Sequence, residues 1–469
     1  MRVVVIGGGP AGLFSAMKSH ELGADTVLLE RSRLGGVAWN QGPPPVRTLA
    51  RVARLLREAR SWERFGLRGQ PPAIDLGGVV DNACRTANDV VEHKDVHGAL
   101  EAAGVTVVEQ GGQVRFSDPN TAVAADGRRY EGDRFIVCVG GQGRKLGIPG
   151  GELTLSYNDI LHLHELPRRI AVVGGADTGC QLASIFRDFG AEVTLLEFKP
   201  RLLPSADADV AEAVRAAYVR GGITVHLGAK AEAIEKTPGG LCLRYEKDGC
   251  SALLEVDAIF AAVGWPANLE GLGLEAAEVA TGRGRIVVDE YLRTTAPHIY
   301  AAGDATGLSM LAQSAALQAG IAVENAILGP HRRYCYEVVA GGSFTDPEYA
   351  GVGLTGEEAH ARGGTLELLV PYRVLTRAII EGLTEGFCKI IVDRGTRELL
   401  GVHVVGAYSA EVIQVAATAI ATRLRVEQVA ALPLAFPSMA QGLTLAAVRA
   451  TRQLGRKAAI TVWDSLEAN

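Results

Sequence analysis

Nowhere in the sequence does an apolar stretch approach the length needed to span a membrane, and the run at residues 3–6 is broken by glycine too soon for a signal peptide. Residence in the cytoplasm is therefore expected. Cysteine is sparse and patternless: Cys84, Cys138, Cys180, Cys242, Cys250, Cys335 and Cys388 are scattered, odd in number, and never spaced as CxxC or as a metal knuckle. That argues against a zinc site and a sequence-adjacent dithiol, and most of these thiols read as small buried hydrophobes. A redox role for Cys84 stays open, although no partner is visible. Histidine gives no better ligand set, because His162 and His164 lie two apart while helical ligand pairs lie three or four apart, and His298 stands alone. No metal is expected. Charge of one sign is lacking too: 47 basic and 53 acidic residues leave a formal charge of -6 with no run of either sign, so there is no field for nucleic acid or anionic lipid. A small-molecule partner is favoured.

What the chain has in plenty is length and glycine. Its 469 residues exceed a single core and predict about three domains, while 57 glycines ask for tight turns or dinucleotide loops. Residues 2–6 (RVVVI) predict a buried parallel strand, GGGPAG a turn, residues 11–22 a helix and residues 26–29 a second strand. The pattern returns as residues 169–173, GGADTG, a helix over 180–189 and a strand over 192–196. Two nucleotide folds are implied. Further strands over 258–263 and 299–302 run into GWPAN and GDATG, and strands over 388–392 and 399–405 alternate with helices over 410–423 and 443–454. The expected fold is α/β, with two Rossmann-like dinucleotide-binding domains and a C-terminal α+β domain. The expected bounds are 1–149 with 269–333 for the first nucleotide fold, 150–268 for the second, and 334–469 for the third domain.

In the first loop, Gly7-x-Gly9-x-x-Gly12 lies directly between strand and helix, with Glu30 ending the next strand. Gly7 permits the turn, Gly9 lets a pyrophosphate approach the backbone, Gly12 lets helix and strand pack closely, and Glu30 can accept from ribose hydroxyls. The second loop is Gly174-x-Ala176-x-x-Gly179 with Glu197 in the equivalent place. A carboxylate there favours a free 2′-hydroxyl over a 2′-phosphate, hence NADH, with NADPH kept open by the nearby Lys199 and Arg201. The segment YAAGD at residues 300–304 assigns the first loop to FAD: Asp304, followed by Ala305, Thr306 and Gly307 at a helix start, can bind a ribityl chain beside a helix dipole.

These motifs, in this order, resemble the flavin-dependent pyridine nucleotide–disulfide reductases, the group of dihydrolipoamide dehydrogenase, glutathione reductase and mercuric reductase. The likeness spans GGGPAG, LGG with Asn40 and Gly42, GGADTG, VGWPAN, YAAGDATG and FTDPEYAGVGLT. It implies a homodimer, which makes the C-terminal α+β domain a dimerisation domain, and a flavin-binding set of Gly7, Gly9, Pro10, Ala11, Gly12, Glu30, Arg31, Gly35, Gly36, Gly140, Gly303, Asp304 and Ala312. For the nicotinamide nucleotide it implies Gly174, Gly175, Ala176, Asp177, Thr178, Gly179, Glu197 and Gly264. The family also places a redox disulfide in a GGTCxNxGCxPSK-like stretch, where this chain carries Ala38 and Pro43 in the cysteine places and Arg47 in the lysine place. Gln181 matches the glutamate that pairs with that lysine, and Phe436 and Gln441 replace the histidine and glutamate of a His-Pro-Thr-x-x-Glu stretch. Thiol chemistry at the flavin is therefore not expected.

The remaining chemistry is hydride transfer from the nicotinamide and electron transfer to a small non-disulfide acceptor, for which a quinone or another planar conjugated compound is the expectation. Trp39, Pro43, Pro44, Phe436 and Met439 would line an apolar acceptor face, the last two from the other subunit. Packing is the equal alternative for Trp39 and Phe436. The prolines at 43–45 predict a helix start at Pro45 or Val46. Arg47 is read as a cation beside the flavin in preference to a structural partner of a carboxylate. A reductase serving a protein partner, a tailoring enzyme of specialised metabolism, and a non-catalytic nucleotide sensor or scaffold are the competing functions.

Overall fold

Three valines and an isoleucine in a row suit a strand covered on both faces, since β-branched side chains pack well on a pleated surface. In the computed structural model, which describes residues 1–335 and 338–456, they form β1 (Arg2–Ile6) at the centre of a five-stranded parallel sheet. Its neighbours are β2 (Asp25–Leu29) and Arg134–Val137, with Val3 opposite Thr26 and Arg134. Thr106–Val108 and Ile299–Ala301 form the edges, so the chain returns to this sheet after visiting the second one. Alternate residues of β1 serve different cores. Val3 and Val5 pack with the helix α1 (Pro10–Glu21) and the helix Ala312–Leu328, whereas Val4 and Ile6 meet Phe116, Tyr130 and Phe135 on the other side.

The second sheet repeats the plan with Arg169–Val173 in the middle, flanked in parallel by Glu192–Glu197 and Ala258–Ala261, with Thr224–Leu227 at the edge. Its helix, Asp177–Phe189, starts three residues before the predicted point because Asp177 and Thr178 join its first turn. A third, antiparallel sheet of five strands orders Gly341–Gly342, Tyr349–Gly353, Leu399–Val405, Phe387–Asp393 and Thr365–Pro371, and the helices Ser409–Ala421 and Gln441–Gln453 pack against it. The expected third domain runs on to residue 469, and its last part, 457–469, lies outside the described residues.

Two predicted helix starts are corrected. The stretch after Gly35 forms a short helix α2 (Gly36–Asn40), and a turn at Gln41 and Gly42 leads into α3 (Pro43–Ser61), two residues ahead of the predicted start. Pro43, Pro44 and Pro45 fit a first turn because its N–H groups have no intrahelical acceptor. Likewise Asp304 does not open a long helix: it sits in a single 3-10 turn, Gly303–Ala305, and the helix whose dipole reaches this region begins only at Ala312. The apolar face of α3, with Val46, Leu49, Ala53 and Leu56, packs into the same core as Leu182, Ile185, Phe186 and Phe189. The first nucleotide fold is thereby joined to the second through the helix that carries Arg47.

Candidate active site at the junction of the two nucleotide folds

The two phosphate loops are near copies. Gly7 and Gly174 both take left-handed φ values, 101° and 107°, which only glycine adopts readily, and each N–H donates to a carbonyl near the end of the neighbouring strand, that of Leu29 or Leu196, at 2.8 Å. A side chain on Gly12 would stand 1.7 Å from the Gly7 carbonyl oxygen, and one on Gly179 would stand 1.8 Å from that of Gly174. Both positions are therefore helix–strand contacts and not cleft walls. Gly9 differs, because a Cβ there would meet nothing nearer than Gly36 Cα at 3.9 Å. Ala176 puts its methyl in the matching place of the second loop.

Each acid at the end of the second strand braces its own loop. Glu30 Oε2 accepts from Gly8 N at 2.6 Å, while Oε1 accepts from Ser32 N at 2.8 Å and Ser32 Oγ at 3.0 Å. Glu197 accepts from Gly175 N at 2.5 Å and from Lys199 N at 2.7 Å. Both carboxylates are buried, and these N–H donors hold them in place.

Between the loops lies one continuous cleft of roughly 1810 Å³, well beyond the few hundred to one thousand Å³ of a single small-ligand pocket. Of the predicted flavin set, Gly7, Gly9, Pro10, Ala11, Glu30, Arg31, Gly36, Gly140, Gly303, Asp304 and Ala312 line it; of the nicotinamide set, Ala176, Asp177, Thr178 and Gly264 do. Gly12, Gly35, Gly174, Gly175, Gly179 and Glu197 stand behind the wall and shape it.

Several buried polar atoms on this wall ask for a ligand. Asn40 and Asn268 use their Nδ2 groups on backbone carbonyls of Leu34, Gly36 and Val139 at 2.9–3.0 Å, which leaves both Oδ1 atoms buried without a partner. Bare acceptors fit a molecule with hydroxyls and a ring N–H, as FAD has. Asp304 adds a third acceptor. Burial pushes its carboxyl up, and the N–H of Trp265, donating to Oδ2 at 2.9 Å, opposes that shift. The turn that carries Asp304 is tied down by Gln318, whose Oε1 accepts from Gly303 N at 2.9 Å and Thr306 Oγ1 at 3.1 Å.

Sequence reasoning missed Trp265 and Gln318. Trp265 sits in the quoted VGWPAN, but nothing in that string says which way the indole faces; Gln318 is one turn-facing residue within a long helix, without a local signal.

The predicted catalytic residues separate. Arg47 lines the cleft, its guanidinium 3.8 Å from the centre of the Phe344 ring. It also lies near the half-buried Glu348, whose carboxyl burial pushes up and the charges of Arg54 and Arg47 pull back. Both readings of Arg47 thus have a physical basis. Trp39 is a correction: it does not line the cleft, but packs on the far side of α2 against the core shared with α1, with Lys94 Nζ 5.1 Å from its ring centre. Met439 is corrected too, being buried within the core of the third domain. Phe436 lies outside the cleft and is 45% exposed, so any reach to a flavin would be across a subunit interface. Pro43 and Ala38 do line the cleft, whereas Pro44 does not. Cys138 is the one cysteine on its wall among the described residues; burial pushes its thiol up to about 12, which keeps it protonated and unreactive. His162 and His164 are exposed, and His298 Nε2 donates to the Pro119 carbonyl at 2.7 Å. No group of three or more potential metal ligands gathers among the described residues, and no helix among them is long and apolar enough to cross a membrane.

Residues 1–319 match the profile of the pyridine nucleotide-disulphide oxidoreductases, and residues 339–447 match the dimerisation domain of the same family. A dihydrolipoyl dehydrogenase of Bacillus subtilis is 31% identical over 433 residues, covering 89% of this chain and 91% of its own. A mercuric reductase of Bacillus cereus is 32% identical over 447 residues, covering 94% of this chain and 70% of its own. Among solved structures, that of LpdA from Mycobacterium tuberculosis superposes with a TM-score of 0.86 at 29% identity, covering 96% of this chain and 100% of that one. With two intact dinucleotide folds, a shared cleft and a matching third domain, the chain belongs to the pyridine nucleotide-disulphide oxidoreductase family of flavin-dependent enzymes, which use FAD and NAD(P)H.

Proposed function

We propose that this enzyme takes hydride from NADH and passes the electrons to a small non-disulfide acceptor, a quinone or a similar planar conjugated compound, without a redox disulfide. The observation that carries the reading is the wall formed by α2 and α3, where Ala38 and Pro43 bring no sulfur to the cleft and the single cysteine lining it among the described residues, Cys138, is a buried neutral thiol. Dithiol exchange needs a thiolate within reach, and none of these groups supplies one.

In this reading residues 1–149 and 269–333 hold FAD, residues 150–268 hold the nicotinamide nucleotide, and residues 334–469 pair two subunits. When bound, the flavin supplies the hydride and electron chemistry, and the chain's own residues bind, orient and shield. Gly9 leaves room for the pyrophosphate at the start of α1, and Asp304, Asn40 and Asn268 present acceptors to hydroxyl and ring N–H groups. Arg47, held over Phe344, places a fixed positive charge on the cleft wall where negative charge builds up during reduction. The balance is simple: NADH gives up a hydride, one further proton comes from water, and a quinone leaves as hydroquinone. The preference for NADH is supported by Glu197 and by Arg201, which is already engaged with Glu357 at 2.5 and 2.8 Å and so is not free for a 2′-phosphate. Exposed Ile379, Ile380 and Phe436 on the third domain support a homodimer.

Anaerobic titration of the yellow protein with NADH tests the proposal. Full reduction is expected at two electrons per flavin, with reoxidation by a quinone. Uptake of four electrons per flavin, or turnover of a dithiol substrate, would show a working disulfide and overturn it.

A further inference from the structure

The chain crosses between the two nucleotide folds twice, and the two crossings pair with one another. Residues 140–144 run beside residues 264–268, with Arg144 N donating to the Gly264 carbonyl at 3.2 Å, Gln142 N to Pro266 at 3.1 Å and Asn268 N to Gly140 at 3.0 Å. Trp265 projects from this strap into the cleft wall. Its ring centre lies 5.5 Å from that of the buried Tyr157, at an interplanar angle of 51°. On its other side the backbone closes in, for a Cβ on Gly141 would fall 2.6 Å from both Cδ1 and Nε1 of the indole. An indole confined between an aromatic ring and a glycine backbone cannot swing, and its N–H points at Asp304 Oδ2, 2.9 Å away. Among the described residues no lysine or arginine forms an ion pair with that carboxylate. Asp304 is thus an acceptor with no cationic partner, and a neutral donor fixes its direction.

We propose that Trp265 is a positioning residue of the flavin site: its indole N–H orients the Asp304 carboxylate, so that the crossing strap sets the geometry with which the first nucleotide fold grips the ribityl chain. This rests on the assignment of FAD to the first fold and goes beyond it in naming a donor carried by a segment outside that fold's βαβ unit. The strap links a shift of the second fold directly to the grip on the flavin.

The test is a double-mutant cycle on FAD affinity, read by quenching of flavin fluorescence as apoprotein is titrated with FAD. Trp265→Phe keeps an aromatic ring between Tyr157 and Gly141 but removes the donor, and Kd for FAD is expected to rise about tenfold, the effect of one hydrogen bond to a charged group. Asp304→Ala, which removes the acceptor, raises Kd further, and the double variant matches Asp304→Ala alone, because Trp265 acts through that carboxylate. Trp265→His, which restores an N–H on a smaller ring, recovers affinity lost in Trp265→Phe and carries the test if the phenylalanine variant does not fold. Additive losses in the double variant, or equal affinity of wild type and Trp265→Phe, overturn the proposal and reduce Trp265 to a space-filler. A wild-type chain that takes up no FAD overturns the flavin assignment as well, which sets the two failures apart.

Discussion

At the residue scale, glycines in one motif do unlike work, and substitution separates them. Gly12→Ala forces a methyl to within 1.7 Å of the Gly7 carbonyl oxygen, where neither partner is a flexible side chain. The helix must back away from the strand, at a cost of about 3 kcal/mol or more. Gly9→Ala meets only Gly36 Cα at 3.9 Å, so the apoprotein melts as wild type does while FAD binding weakens. Apoprotein melting temperature and FAD Kd, measured on both variants, check the contrast; a Gly9→Ala chain that binds FAD normally would remove the pyrophosphate from this loop. These roles were legible in the sequence because φ values and helix–strand spacing are local properties. The facing of Trp39 and Trp265 was not, because it depends on which core each indole meets: Trp39 turns inward beside Lys94, and Trp265 turns to the cleft only because Gly141 and Tyr157 leave it that direction.

At the scale of elements, α3 is the piece that holds the reacting region together, and its basic face explains how. Asp188, fully buried at the end of the helix Asp177–Phe189, has its carboxylate paired with Arg57 of α3 and with Arg187 at 2.8 Å, while Arg60 stands 3.8 Å from the carboxylate and donates to the Asp188 backbone carbonyl at 2.6 Å. Burial pushes the Asp188 carboxyl up against the pull of Arg57 and Arg187, so this carboxylate depends on its partners. Arg57→Ala is expected to lower stability by about 2–3 kcal/mol, near the lower end for breaking a buried pair because Arg187 remains. Arg60→Ala, which removes one half-exposed hydrogen bond to a backbone carbonyl and only a long contact with the carboxylate, is expected to cost about 1 kcal/mol or less. Urea unfolding midpoints of the two variants decide this, and equal shifts would mean that α3 is held by its apolar face alone. The apolar face itself, Val46, Leu49, Ala53 and Leu56, could be read from spacing, but its partner on the second fold could not. The helix start slipped by two residues for a related reason: the turn is set by Gly42 N donating to the Val37 carbonyl at 2.7 Å, and that bond fixes how many prolines the first turn absorbs.

At the scale of the molecule, the second nucleotide fold is fastened to the third domain by one buried ammonium group. Lys389 Nζ lies 3.0 Å from Asp207, 2.7 Å from Asp209 and 2.9 Å from Glu367, with Asp207 also accepting from Gly356 N at 2.8 Å. Burial works against the charge of Lys389, yet its three carboxylate bonds hold it above the usual lysine range. Burial likewise pushes Asp207 up, but the Gly356 N–H, His403 and Lys389 outweigh it and leave its carboxyl below the usual range. The signs follow. A carboxyl lowered in the folded state contributes stability above the unfolded aspartate pKa of about 4 and loses it as pH falls through the folded value; a raised lysine contributes below the unfolded value near 10 and loses it only in stronger alkali. Between these limits the clamp is fully formed, so Lys389→Met should strip about 3–5 kcal/mol near neutral pH by leaving Asp207 buried without its cation. As pH falls below the unfolded aspartate value and through the lowered folded one, Asp207 takes up a proton in the wild type as well, and the gap between the two melting temperatures should narrow. A gap that stays constant from neutral pH down to pH 3 would mean that Lys389 acts by packing its methylenes and not by its charge, and the acid sensitivity of this domain contact would then need another carboxylate.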